Sequence, residues 1–153
     1  MKFLLSIVMT LLPTLAFSQT VSAERPQSLA DALRAAGYGA VLAVDEYGDP
    51  QITSWIGEVE YDIYFYGCDG NYFGCQDILF SAGFDLISPL SAEYINNWNV
   101  DALAGTAYID DEGDPFLTMF IPGATDLTEE SFDRMLAAWE GAFTGYLDFI
   151  GWN

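Results

Sequence analysis

A thirteen-residue phrase occurs twice in this chain, as VDEYGDPQITSWI at 44–56 and as IDDEGDPFLTMFI at 109–121. Each copy runs from an apolar residue through acids and a glycine into proline and an apolar run of strand length. The residue before proline is pushed towards extended backbone, and proline is tolerated as the first residue of a strand. Gly48 and Gly113 supply turn conformations that other residues resist. The phrase therefore predicts two similar β-hairpins, and a fold with two such hairpins is built around an antiparallel sheet. Acids around a glycine also suggest a calcium loop, but neither copy has the alternating ligands and distant bidentate glutamate such a loop needs. The turn is the preferred reading; weak surface cation binding is the other.

The segments between the phrases support the same class. Val59–Tyr66 alternates apolar Val59, Tyr61, Ile63 and Phe65 with Glu60, Asp62, Tyr64 and Tyr66. Asp77–Leu86 repeats that period in Ile78, Phe80, Ala82, Phe84 and Leu86. Alternation of this kind fits a sheet covered mainly on one side. Gly57-Glu58 suits a two-residue hairpin turn between Gln51–Ile56 and Val59–Tyr66. Three stretches read as helices. SLADALRAAG is expected to be capped by Ser28, with Asp31 completing a capping box. LSAEYINNWN is expected to be capped by Ser91. The last helix starts at Thr128, with Glu129 and Glu130 at its positive end. Its stripe of Phe132, Met135, Leu136, Trp139, Phe143, Tyr146, Leu147 and Ile150 reads as core. The resulting expectation is an α+β, two-layer domain: an antiparallel sheet of five to six strands with helices packed on it, in the order α-β-β-β-β-α-β-β-α.

The first residues stand apart. MKFLLSIVMTLLPTLAFSQT carries one positive charge, an apolar run and then small residues, the order of a secretory signal peptide. Residues 1–18 are read as that leader, cut after Ser18 (or after Ala23), and residues 19–153 as a single domain in the periplasm or outside the cell. Export makes a disulfide the default for Cys68 and Cys75, which would staple the end of a hairpin. Closing so short a loop contributes about 2.5 kcal/mol in the chain-entropy picture. A reactive thiol pair is the alternative.

Composition removes most chemistries. The 153 residues include no histidine, 23 acids and four basic residues. Without the leader, three arginines face 23 acids, a balance of −20. That charge excludes nucleic acid and anionic membrane surfaces as partners, since both are bound by neutralising phosphates. No histidine-based catalytic site or histidine-ligated metal can be built. There is no P-loop or dinucleotide fingerprint. No catalytic residue, metal ligand or cofactor is assigned. Paired carboxylates remain as a hydrolase alternative.

Taken in order, RPQSLADALRAAGY, GDPQITSWIGEVEYDIYFYGC, LFSAGFDL, INNWN, AYIDDEGDPFLTMFI and SFDRMLAAWEGAF resemble the bacterial YbjN-domain family over nearly all of the chain after the leader. The resemblance implies a sensory-transduction regulator with a fold like that of type III secretion chaperones. It supplies no functional residues to carry over. The expected function is a non-enzymatic exported module that binds a protein or peptide, with a second copy of the chain also open as partner. Tyr64 and Tyr66 are the candidate contact residues if the helices leave their face of the sheet uncovered. Burial beneath a helix is the competing expectation.

Overall fold

The computed structural model describes residues 20–69 and 74–152. The leader assigned to 1–18 lies outside the described residues. The elements follow the expected order: α1 (Pro26–Ala35), β1 (Ala40–Val44), β2 (Pro50–Ile56), β3 (Val59–Tyr66), β4 (Asp77–Gly83), α2 (Ala92–Asp101), β5 (Thr106–Ile109), β6 (Pro115–Ile121) and α3 (Glu129–Ile150). All six strands form one antiparallel sheet in the order β1-β2-β3-β4-β6-β5. The two repeated hairpins thus flank the central β3–β4 hairpin, one on each side.

The two acidic turns are built alike, bond for bond. Asp45 Oδ1 accepts the N–H groups of Tyr47 and Asp49, both at 2.9 Å. Asp110 Oδ1 accepts those of Glu112 and Asp114, again at 2.9 Å. In each turn the glycine N–H donates to the first aspartate's carbonyl, at 3.1 Å and 3.2 Å. The glycines sit at φ 93° and 92°, left-handed backbone that a Cβ would strain. The shared aspartate therefore serves as an internal acceptor that closes the turn. Asp45→Ala and Asp110→Ala are each expected to cost about 1–2 kcal/mol in urea unfolding, while Asp→Asn, which keeps the acceptor oxygen, costs under about 0.5 kcal/mol. Unequal Ala costs at the two sites would show that the turns are not energetically equivalent.

The alternation read from sequence places one strand face in the core. Ile52, Tyr61, Ile63, Phe65, Ile78, Phe80, Ala82, Ala107 and Leu117 are buried and share one cluster with Leu29 and Leu33 of α1, Ile95 of α2, and Phe132, Leu136, Trp139, Phe143, Tyr146 and Ile150 of α3. The predicted α3 stripe is the inner face of the helix layer; its Met135 and Leu147 are half-buried at its margins. Buried Ser54 donates its hydroxyl to Tyr61 at 2.9 Å, which satisfies a polar group beneath the helices. The N-terminal lead-in is tied down as well: Val21 exchanges both backbone bonds with Leu127, and Ala23 N–H donates to Ala124.

Two local expectations are corrected. Ser28 does not cap α1. The cap is Arg25, because Pro26 takes the first helical position, where its fixed φ fits and its missing N–H costs nothing. Ser28 instead donates to Arg25 O and accepts from Ser22 N–H. The fourth strand stops at Gly83 rather than Leu86. Its partner β6 begins at Pro115, so beyond Phe84, whose N–H still reaches Pro115 O, no ladder partner remains. The caps at Ser91 and Thr128 stand as expected, accepting from Tyr94 and Ser131 N–H. Cys68 and Cys75 are joined in a disulfide beside the β3–β4 connection.

Candidate functional site: the open sheet face

The side chains opposite the core alternate lie on a face that the helices leave uncovered. The strand register arranges them in cross-strand rows. One row is polar: Thr53, Asp62, Ser81, Thr118 and Thr106 stand side by side from β2 to β5. Within it Thr53 donates to Asp62 Oδ1 at 2.8 Å, and Tyr64 reaches Asp62 Oδ2 at 3.4 Å. The next row is apolar: Tyr64 opposes Leu79, and Leu79 opposes Phe120. Tyr66 follows at the end of β3, opposite Asp77.

On the other side of the polar row, aromatic rings shelter glycines. The Phe116 ring occupies the space a Cβ on Gly83 would need, 2.5 Å from the position of that atom. The same ring stacks on Tyr108, with centroids 5.1 Å apart and planes 11° from parallel. The face is therefore a band of rings and hydroxyls with carboxylates set into it. Tyr66, Tyr108 and Phe120 are 46%, 47% and 53% exposed. Tyr64 is half-buried among its neighbours, and its phenol is pushed up to about 12, first by that burial and then by the Asp62 carboxylate. It stays a neutral donor throughout the physiological range.

Of the two expectations for Tyr64 and Tyr66, the uncovered face is the one the fold realises; the α3 rings pack at a tilt against Tyr61 and Phe80 on the opposite side. The sequence reading picked out those two tyrosines and missed Leu79, Phe116, Phe120 and Tyr108. The alternation within β4 and β6 carried that signal. What it lacked was the adjacency of β4 to β6, which skips a strand in sequence.

Among the described residues no Asp or Glu is buried, so every described carboxylate lies at least partly in solvent. No group of three or more Asp, Glu or Cys side chains among them is placed to hold a metal ion. No helix among them is long and apolar enough to cross a membrane.

Sheet, helix layer and ring-bearing open face define a two-layer α+β domain with one face left to solvent. The chain belongs to the YbjN family, whose model matches residues 25–152 and is described as a "putative bacterial sensory transduction regulator". A search of curated proteins finds no match to this chain.

Proposed function

We propose that this protein is a non-enzymatic, exported regulatory module that binds a polypeptide through its open sheet face. The observation that carries the reading is the placement of the three described helices on one side of the sheet, which leaves exposed rings on the other. Aromatic side chains give large contact area at low entropic cost, and tyrosine adds a polar tip. The partner is a polypeptide with apolar anchors and a positive balance, because Glu60 and Asp62 sit on this face within a chain of formal charge −19. The family description favours regulation over catalysis. A carboxylate hydrolase would need an acid whose proton is held by burial, and the described acids are at the surface.

The disulfide suits an oxidising compartment. Cleavage after Ser18 fits the fold better than cleavage after Ala23, which would remove the Val21–Leu127 pairing.

A photoreactive residue at Tyr66 or Phe120 in native cells should capture a discrete polypeptide, whereas one at Ile87, which is more exposed than either, should not. Tyr64→Ala should then weaken that complex by more than about 1 kcal/mol without unfolding the domain. Added salt should slow association more than it speeds dissociation, since exposed charge is screened within about 8 Å. Binding unchanged in the Tyr64→Ala, Tyr66→Ala double variant would remove this face as the contact.

A further inference from the structure

The two ends of the sheet are finished differently, and the internal repeat shows how. At the β5 end, Asn99 of α2 binds the strand's outward edge with both ends of its amide. Its Oδ1 accepts the Ala107 N–H at 2.8 Å, and its Nδ2 donates to Ala107 O at 2.9 Å. The side chain thus occupies the place of a neighbouring strand's peptide group. The shift that lays Val44 on Ile109 and Pro50 on Pro115 lays Leu42 on Ala107 and Arg34 on Asn99.

Arg34 does not repeat the clamp. Its Nε and Nη2 donate to Ala40 O at 3.1 Å and 2.7 Å, and its Nη1 pairs with Asp31 at 2.9 Å. A guanidinium has no acceptor, so it cannot receive the N–H of Leu42. The parity of the ladder settles where that N–H points. Asp45 N–H donates inward to Asp49 O, so Val41 and Ala43 share its inward parity while Leu42 and Val44 turn N–H and C=O away from β2. Among the described residues nothing is bonded to them. Val41 and Val44 are 54% and 67% exposed beside this edge. A bare, apolar strand edge is a template for pairing unless it is blocked.

We propose that the β1 edge, at Leu42 and Val44, receives an extended basic and apolar segment of a partner polypeptide as a seventh antiparallel or parallel strand. The inference rests on the reading of this chain as a polypeptide-binding module, and adds to it a second, main-chain contact. Charge selects the occupant. The edge runs into Asp45, Glu46 and Asp49, while at its start Asp31 and Arg34 pair with each other. A second copy is disfavoured: each carries the same strong negative charge, and a five-residue edge is far short of the roughly 1,200 Å² that a stable interface buries. A transient contact with a basic strand meets neither obstacle.

The test uses the disulfide-bonded protein and an acetylated, amidated octapeptide alternating valine with lysine. Amide exchange read by NMR should slow by at least about tenfold at Leu42 and Val44 under saturating probe, with little change at the inward-facing Val41 and Ala43. A peptide alternating proline with lysine, equal in charge, should not produce this pattern. Leu42→Pro should abolish it; if that variant does not fold, the parity pattern in the unaltered protein still decides. Slowing at both parities, or shifts confined to Tyr64, Leu79 and Phe120, would overturn strand addition and leave the module reading standing. Protection of Leu42 and Val44 without probe, together with a doubled mass in light scattering, would overturn it in favour of a second copy. An octapeptide that binds nowhere also overturns it, while the module reading is judged separately by crosslinking at the open face.

Discussion

Trp139→Ala is expected to cost about 3–5 kcal/mol of folding stability, the range for removing a buried tryptophan and leaving a cavity. Trp139 is fully buried in α3, with ring centroids 5.5 Å from Tyr61, 5.3 Å from Phe80 and 5.6 Å from Phe143. Two of those rings belong to the central strands, so this side chain seats the helix layer on the sheet. A domain of this size has about 5–15 kcal/mol in all, so the variant should lose a large share of it. Trp139→Phe should behave differently. The indole Nε1 has no hydrogen-bond partner among the described residues, so the change removes volume together with an unsatisfied donor. Its cost is expected to be about 1–2 kcal/mol. Urea unfolding followed by near-ultraviolet circular dichroism measures both. Equal costs for the two variants would mean that the cavity is not the controlling factor.

Asn99→Ala should remove about 2–3 kcal/mol, because it leaves the N–H and C=O of buried Ala107 without their partner. Asn99→Asp is the informative control. A carboxylate can still accept from Ala107 N–H, but it has no donor for Ala107 O and sets two oxygens against each other. It should therefore lose most of what alanine loses, although it is nearly isosteric. Loss of the clamp should also speed amide exchange at Ala107, whose N–H then has no protein acceptor. Stability within about 0.5 kcal/mol of the unaltered protein would show that water replaces the amide at no cost. The clamp would then be dispensable for stability, and the contrast between the two edges would rest on access alone.

The family description and the geometry bear on function in different ways. The family speaks of regulation, and the fold offers surfaces: a face of rings at the centre of the sheet and a free strand at one end. Both surfaces suit the recognition of extended polypeptide, one through side chains and the other through backbone. They are adjacent, since Val41 on β1 opposes Thr53, which opens the polar row of the face.

What could be read along the chain was whatever depends on near neighbours. The alternation in Val59–Tyr66 reports a half-buried strand, and Asp-Gly-Asp-Pro order reports a turn, because both follow from backbone geometry within a few residues. Thr128 and Ser91 are legible as caps for the same reason. Ser28 misled because a side chain that can cap a helix competes with a proline two positions earlier that can start one. Other decisions lay with the tertiary structure alone. Period two says that one face of β3 is buried but not which elements cover it, so Tyr64 and Tyr66 could not be placed until α1, α2 and α3 were seen to share one side. The pairing of β4 with β6, which completes the band of rings, joins segments separated by a helix and a strand. Asn99 stands in an exposed, polar run where composition marks nothing unusual; its function arises only because α2 packs against β5 and brings its amide to an edge peptide. Hydrogen bonds and ring contacts between distant segments depend on how the layers dock, and docking is settled by burial summed over the whole core rather than by local pattern.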